Sequence, residues 1–261
     1  MCLVAVAWRC HARYPLVLAA NRDELHDRPT RMATVWQDAP DVLGGRDLQA
    51  GGSWLALSRR ARLAAVTNVR LPGRAPAARS RGALVRDFVL GESPAALAAT
   101  AGLSVGDEYG PYNLLLWDGR ELVHASNHPE PSAVPLPAGI HGLSNGPIDA
   151  PWPKVRRLTA GLRNWLDALP DTDEPDPTPL FATLADERGA PDDELPDTGV
   201  GIELERRLAP PFIRDARYGT RASSVVLIRD DGHAMLLERN FAARGTPAAQ
   251  ARLTVRLEGT A

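Results

Sequence analysis

CLVAVAWRCHARYPLVLAANRDEL, residues 2–25, decides the fold of this chain. Two short aliphatic runs, Cys2–Trp8 and Leu16–Ala20, flank the polar connection Arg9–Pro15. Runs of this length around a polar break are typical of a β-hairpin. The second run stops at four hydrophilic residues, Asn21-Arg22-Asp23-Glu24. The segment therefore predicts an opening hairpin whose second strand carries polar side chains at its end.

Outward from this hairpin, strand patterns recur at both ends of the chain and helical patterns lie between them. Hairpin turns are predicted at Asp118-Gly119 and at Asp230-Asp231-Gly232. A helix is expected over Arg79–Leu90, a second opens at Ser93-Pro94, and Trp152–Leu169 has apolar residues at helical spacing. The further predicted strands are Ser53–Ser58, Arg62–Thr67, Tyr112–Trp117, Glu121–Ser126, Gly139–Ser144, Ser223–Ile228 and His233–Glu238. This order predicts an α+β fold in a single domain spanning residues 1–261.

Composition excludes several classes of protein. The chain has 30 basic and 32 acidic residues and a net charge of −2, so nucleic acid is a poor partner. It has two cysteines, which is too few for a disulfide framework. No run approaches the roughly 18 apolar residues of a membrane span, and no metal-binding spacing occurs. We expect a soluble protein of the reducing cytoplasm that needs no metal or cofactor.

Cys2 draws attention because it follows the initiator Met1. Removal of Met1 would leave a thiol and a free α-amine on one residue, and an α-amine has a pKa of about 7.7–8.0. Such a residue can act as a nucleophile with its own base. The alternative is a small buried residue at the start of a strand, because free cysteine packs like a hydrophobe. Cys10 is expected to be a bystander.

Several motifs together carry a resemblance to a known family. Besides residues 2–25 they include LGGRDLQAGGSWLALS, AAVTNVR, GLSNGP at 142–147, LPDTGV at 195–200 and YGTRASSVVL at 218–227. Their order resembles the NRDE family, also called the transport and Golgi organisation 2 family, over nearly the whole chain. The resemblance implies a fold similar to the N-terminal-nucleophile hydrolases: a four-layer αββα sandwich of two antiparallel sheets between helical layers.

The resemblance also implies a catalytic set. Hydrolases of this superfamily that use cysteine combine it with two arginines, two asparagines and an aspartate. The residues of matching type and order here are Cys2, Arg22, Asn68, Asn145 and Arg221. The hydrolases carry the acid three residues after the first arginine, where this chain has Leu25. Either Asp23 or Glu24 could therefore orient the amine.

Roles follow from residue type. Cys2 would attack an acyl carbonyl, Asn68 would stabilise the oxyanion, and Asn145 would fix the amine or the substrate. Arg22 and Arg221 would favour the thiolate or clamp an anionic substrate. Candidate substrate-binding residues are Asp23, Glu24, Arg46 and Trp54. Arg46 and Asp47 are expected to pair and shape the pocket wall, and Trp54 is expected in the core.

Three functions remain open at this point. The first is a cysteine amidohydrolase or acyltransferase for a small acyl compound. The second is a non-catalytic protein on the same fold that binds or carries haem or an acyl lipid such as acyl-coenzyme A, which eukaryotic members of the family suggest. A third alternative is an interaction protein in which Cys2 is merely buried. The joint presence of the five candidate residues favours the enzyme.

Overall fold

The computed structural model describes residues 2–73, 77–169 and 175–259, and for Cys2 it describes the backbone alone. The described residues form two antiparallel sheets and five α-helices. The first sheet has the strand order β10-β1-β2-β11-β12-β13: Gly139–Leu143, Cys2–Trp8, Leu16–Leu25, Tyr218–Ile228, His233–Ala242 and Thr246–Arg256. The second runs in chain order from β3 to β9: Thr30–Trp36, Ala39–Asp47, Leu55–Ser58, Arg62–Asn68, Tyr112–Trp117, Leu122–Ser126 and Ser132–Pro135.

The helices cover the outer faces of the two sheets. They are α1 Gly82–Leu90, α2 Ala95–Ser104, α3 Pro153–Asp167, α4 Thr178–Leu184 and α5 Ile202–Leu208. Helices α1 and α2 pack on the second sheet, and α3 and α4 pack on the first. The αββα sandwich predicted by the resemblance is confirmed.

Alternation along β1 and β2 explains why both strands are apolar throughout. Even-numbered residues such as Val4 and Leu18 join the cluster between the two sheets. Odd-numbered residues such as Leu3 and Val17 join the cluster beneath α3 and α4. A strand covered on both faces must bury both sets of side chains, because side chains alternate across a sheet. The two strands pair from Cys2↔Arg22 to Trp8↔Leu16, as the hairpin prediction requires.

The structure corrects several predicted boundaries. Strand β2 does not stop at Ala20 but continues to Leu25, so the Asn-Arg-Asp-Glu stretch is part of the sheet. Strands β3, β4, β9 and β13 and helices α4 and α5 were not predicted. The acid- and proline-rich stretch Asp171–Pro179 predicts a surface loop, and it lies partly outside the described residues. Within its described part, the chain enters α4 at Thr178.

Candidate functional site

Arg22 projects from β2 into the space between the sheets. Its register partner on β1 is Cys2, whose side chain lies outside the described residues. The Arg22 side chain is only 6% exposed, and its guanidinium carbon lies 4.3 Å from the ring centroid of Trp54. Its Nη1 donates to Thr30 Oγ1 at 3.2 Å, and its closest carboxylate oxygen belongs to Glu24, 4.0 Å from Nη2. Trp54 is thus both a core residue and the surface that supports this guanidinium.

Asp23 occupies the opposite face of the same strand. It is 2% exposed, and its Oδ1 accepts a hydrogen bond of 2.7 Å from the Thr220 hydroxyl. Burial raises the pKa of Asp23, and the charges of Lys154 and Arg22 and the Thr220 bond oppose that rise. Glu24 is more exposed, and its Oε1 accepts from the Leu25 backbone N–H at 2.9 Å. Asp23 is therefore a buried acid, whereas Glu24 lies nearer the surface.

Asn21 lies on the same face of β2 as Asp23. Its side chain forms structural hydrogen bonds and lines neither of the two cavities described below. Its Nδ2 donates to the backbone carbonyls of Leu184 and Pro211 at 2.8 and 2.9 Å. Its Oδ1 accepts from Ser223 at 2.6 Å. The amide therefore ties β2 to the end of α4 and to the chain before β11.

Asn68 and Asn145 lie together although 77 positions separate them. The Asn145 Nδ2 donates to the Asn68 backbone carbonyl at 2.9 Å and to its Oδ1 at 3.1 Å. Because Oδ1 of Asn68 is an acceptor, its Nδ2 carries the N–H groups that can donate elsewhere. Asn145 is fully buried, and it positions Asn68 at the end of β6.

Behind this pair lies a buried ion pair that the sequence did not reveal. Arg70 Nη1 bonds to Glu205 Oε2 on α5, and Arg70 Nη2 donates to Asn145 Oδ1 at 3.4 Å. Glu205 Oε1 accepts from the Thr198 N–H at 3.0 Å and from its hydroxyl at 2.5 Å. Burial lowers the pKa of Arg70, and the Glu205 charge opposes that change. The motif LPDTGV contains Thr198, which binds Glu205, but the motif alone does not indicate this role.

Arg221 reaches the site through a β-bulge. The register between β11 and β2 shifts between Thr220 and Ala222, so Arg221 is the extra residue. Its Nη1 donates to the carbonyls of Leu25 and Arg28 at 2.6 and 3.2 Å. Burial and the nearby charge of Arg22 lower the pKa of Arg221. The bulge also places Thr220 on the face of Asp23 and Ala222 on the face of Arg22.

Two cavities meet at Arg22. The smaller, about 130 Å³, is lined by five candidate residues: Arg22, Asp23, Glu24, Trp54 and Asn68. The larger, about 630 Å³, has both Arg22 and Arg221 in its wall. Asn145 supports Asn68 from behind, so the described candidate residues other than Arg46 lie at or directly behind these two cavities.

Arg46 is the exception. Its guanidinium lies 4.2 Å from the Trp36 ring and binds Asp38 at 2.9 Å, outside both cavities. The expected Arg46–Asp47 pair is wrong, because successive strand residues point to opposite faces. Asp47 instead binds Arg28 at 2.6 Å and lines the smaller cavity.

Comparison with known proteins gives the family. The family described as Transport and Golgi organisation 2 matches residues 1–243.

The chain belongs to this family.

A Transport and Golgi organization protein 2 homolog of Homo sapiens is 31% identical over 243 residues, which are 87% of each chain. The homolog of Mus musculus is 30% identical over 248 residues, 89% of each chain. The Drosophila melanogaster protein is 27% identical over 255 residues, again 87% of each chain.

A solved structure supports the fold. A mutant of conjugated bile acid hydrolase from Clostridium perfringens superposes with a TM-score of 0.55 at 8% identity, covering 98% of this chain and 92% of that one. At this identity the similarity shows the fold alone, and the fold is that of the N-terminal-nucleophile hydrolases.

The described residues bring no three His, Cys, Asp or Glu side chains into an arrangement that could hold a metal ion. Among their helices, none is long and apolar enough to span a bilayer.

Proposed function

We propose that the protein is a cysteine amidohydrolase or acyltransferase of the N-terminal-nucleophile type that acts on a small acyl compound. The observation that carries the proposal is the cavity at Arg22, where Asp23 and Asn68 also line the wall beside the register position of Cys2. A fold alone would not require these side chains to meet. Their meeting is the arrangement that acyl transfer needs.

The reaction would proceed in two balanced steps. The Cys2 thiolate attacks the acyl carbonyl, an S–C bond forms, and the C–N bond breaks as the amine leaves with a proton from the Cys2 ammonium. Water, or an acceptor nucleophile, then attacks the thioester, and the acid or the transferred product leaves as the thiol is restored. Arg22 favours the thiolate by its charge, and Asn68 Nδ2 donates to the oxyanion.

Asp23 is the carboxylate that we assign to orienting the amine. It is buried and held by Thr220, whereas the partly exposed Glu24 is shared between Arg22 and Arg28 at 4.0 and 3.8 Å. A buried carboxylate that is fixed by a hydrogen bond can hold an ammonium group in one orientation. A partly exposed carboxylate that two arginines share holds it less firmly.

The test uses a Cys10→Ser background, so that Cys2 is the one remaining cysteine. Intact mass of the native protein reports whether Met1 is removed. Treatment with a phenyl thioester then reports whether an acyl group is added. We expect removal of Met1 and one acyl adduct, which Cys2→Ala abolishes.

A matched pair of asparagine variants tests the oxyanion role. Asn68→Ala should slow acylation by a factor of about 100–1,000. Asn164→Ala, at an exposed position on α3, should leave the rate unchanged. Retention of Met1, or undiminished acylation in Cys2→Ala, would contradict the proposal. Loss of ligand retention in Cys2→Ala without any turnover by the parent protein would indicate the carrier function instead.

A further inference from the structure

The larger cavity at Arg22 opens at the end of the sandwich where β1 begins. It measures about 630 Å³, within the range of small-molecule sites. Its lining includes five alanines and three arginines, of which Arg31 is exposed. The lining residues that matter below are Arg22, Arg221, Ala222, Asn240 and Ala249.

The register of the first sheet connects this cavity to Cys2. Cys2 pairs with Arg22, Arg22 with Ala222, Ala222 with Asn240, and Asn240 with Ala249. Directly paired residues of a sheet occupy neighbouring positions on one face. The four positions after Cys2 in this row all line the cavity. A molecule lying along the row would therefore extend from the Cys2 position toward β13.

The charge at the start of the cavity is positive and poorly compensated. In the part of the chain that the structure describes, no carboxylate oxygen lies within 4.0 Å of the Arg221 guanidinium, whose bonds go to carbonyls. Glu24 and Asp27 act on it only from a greater distance. Arg22 has one carboxylate at 4.0 Å, and Glu24 divides that contact with Arg28. Two guanidiniums in a partly dehydrated wall favour an anion.

A buried acid near this row, Glu238, is bound by uncharged donors. It accepts hydrogen bonds from the Ala33 N–H at 2.7 Å, from Ser224 and from the Asn240 amide at 3.1 Å. Burial raises the pKa of Glu238, and these hydrogen bonds and the charge of Arg22 oppose that rise.

We propose that the substrate is a short acyl compound that carries a second carboxylate, and that the start of this cavity binds that carboxylate. The inference rests on the function proposed above. The carboxylate would bind Arg22 and Arg221 beside the Cys2 position, so only a short chain separates it from the reacting carbonyl. Planar guanidinium groups match a planar carboxylate in two-point contacts. No glycine-rich turn supplies backbone N–H groups in this lining, so a phosphate lacks its usual cradle.

The experiment compares two phenyl thioesters of equal chain length, one of butyric acid and one of succinic acid. In both, the Cys2 thiolate displaces thiophenolate and forms a new thioester. Acylation of the Cys10→Ser protein is followed by intact mass. The succinyl group should transfer faster by about tenfold or more.

Two variants identify the cause of that preference. Arg221→Gln should remove it, whereas Arg217→Gln, at an exposed arginine four residues earlier in the chain, should keep it. Thermal unfolding confirms that each variant is folded.

The outcomes separate this inference from the proposed function. Equal rates for both thioesters, or a preference that survives in Arg221→Gln, would overturn it while leaving acyl transfer intact. If neither thioester acylates Cys2, the proposed function fails. Calorimetric titration with succinate then tests the cavity alone: binding that is lost in Arg221→Gln supports it, and no binding, or tighter binding of inorganic phosphate, overturns it.

Discussion

Removal of the Glu205 carboxylate is the sharpest test of how the site is supported. Arg70 and Glu205 are 7% and 3% exposed, so solvent screens their charges little. Glu205→Ala would remove the carboxylate that faces the buried Arg70 guanidinium, which keeps its 3.4 Å contact to Asn145 Oδ1. Breaking a buried pair in this way costs about 3–5 kcal/mol. Loss of both Thr198 hydrogen bonds, each worth about 1 kcal/mol, brings the expected loss to about 5–7 kcal/mol.

The assay is urea unfolding followed by tryptophan fluorescence. Glu203→Ala is the matched control. Glu203 lies on the same helix and pairs with Arg206, but its side chain is 82% exposed. That control should change the unfolding free energy by less than about 1 kcal/mol. A similarly small change in Glu205→Ala would refute the reasoning.

A double variant separates stability from positioning. Replacing the pair together, as Arg70→Met with Glu205→Leu, should restore most of the stability, because an apolar pair avoids the cost of burying charge. It also removes the Arg70 contact to Asn145, which in turn holds Asn68. We expect acylation to remain slow in this variant. Normal acylation would show that the ion pair only stabilises the fold.

Two further predictions concern other parts of the fold. Burial lowers the pKa of His124 to about 4 from 6.5, so the unfolded chain binds its proton first on acidification. Through His124 alone, the free energy of unfolding should therefore fall by about 3 kcal/mol between pH 7 and pH 4. The fall should be smaller in His124→Gln, and an equal fall in both proteins would contradict this prediction. Gly45→Ala places a methyl group 2.1 Å from the Trp54 ring, which has to move. It should destabilise by about 1–3 kcal/mol, whereas Gly189→Ala, which meets nothing within 4 Å, should be nearly neutral; similar midpoints in urea would contradict it.

Local patterns predicted the elements whose stability is local. The hairpin at Asp118-Gly119 and the helix α3 were predicted because turn chemistry and helical spacing are written in adjacent residues. Strand β13 was not predicted, because its residues are mostly exposed and are mainly alanine, threonine and arginine. Pairing with β12 makes it a strand, and nothing within its own sequence specifies that partner.

The candidate site was predictable in residue identity but not in geometry. Motif order indicated Arg22, Asn68, Asn145 and Arg221, and the structure brings them to two adjoining cavities or directly behind them. Glu205 was missed because its partner is 135 positions away. Such a pair leaves no periodicity to detect.

The Asn-Arg-Asp-Glu stretch serves both faces of the first sheet, because successive side chains of a strand point to opposite faces. Asn21 and Asp23 face the helical layer, where one ties β2 to a loop and the other is held by Thr220. Arg22 faces the space between the sheets and Trp54. A slip of β2 by one residue would exchange these faces, placing the acid between the sheets and the guanidinium under α3. The bulge at Arg221 tolerates no such slip, since it alone puts Thr220 beside Asp23 and Ala222 beside Arg22. Deleting Arg221 should therefore disturb the acid and the arginine together, whereas a side-chain substitution there should disturb only the arginine's cavity.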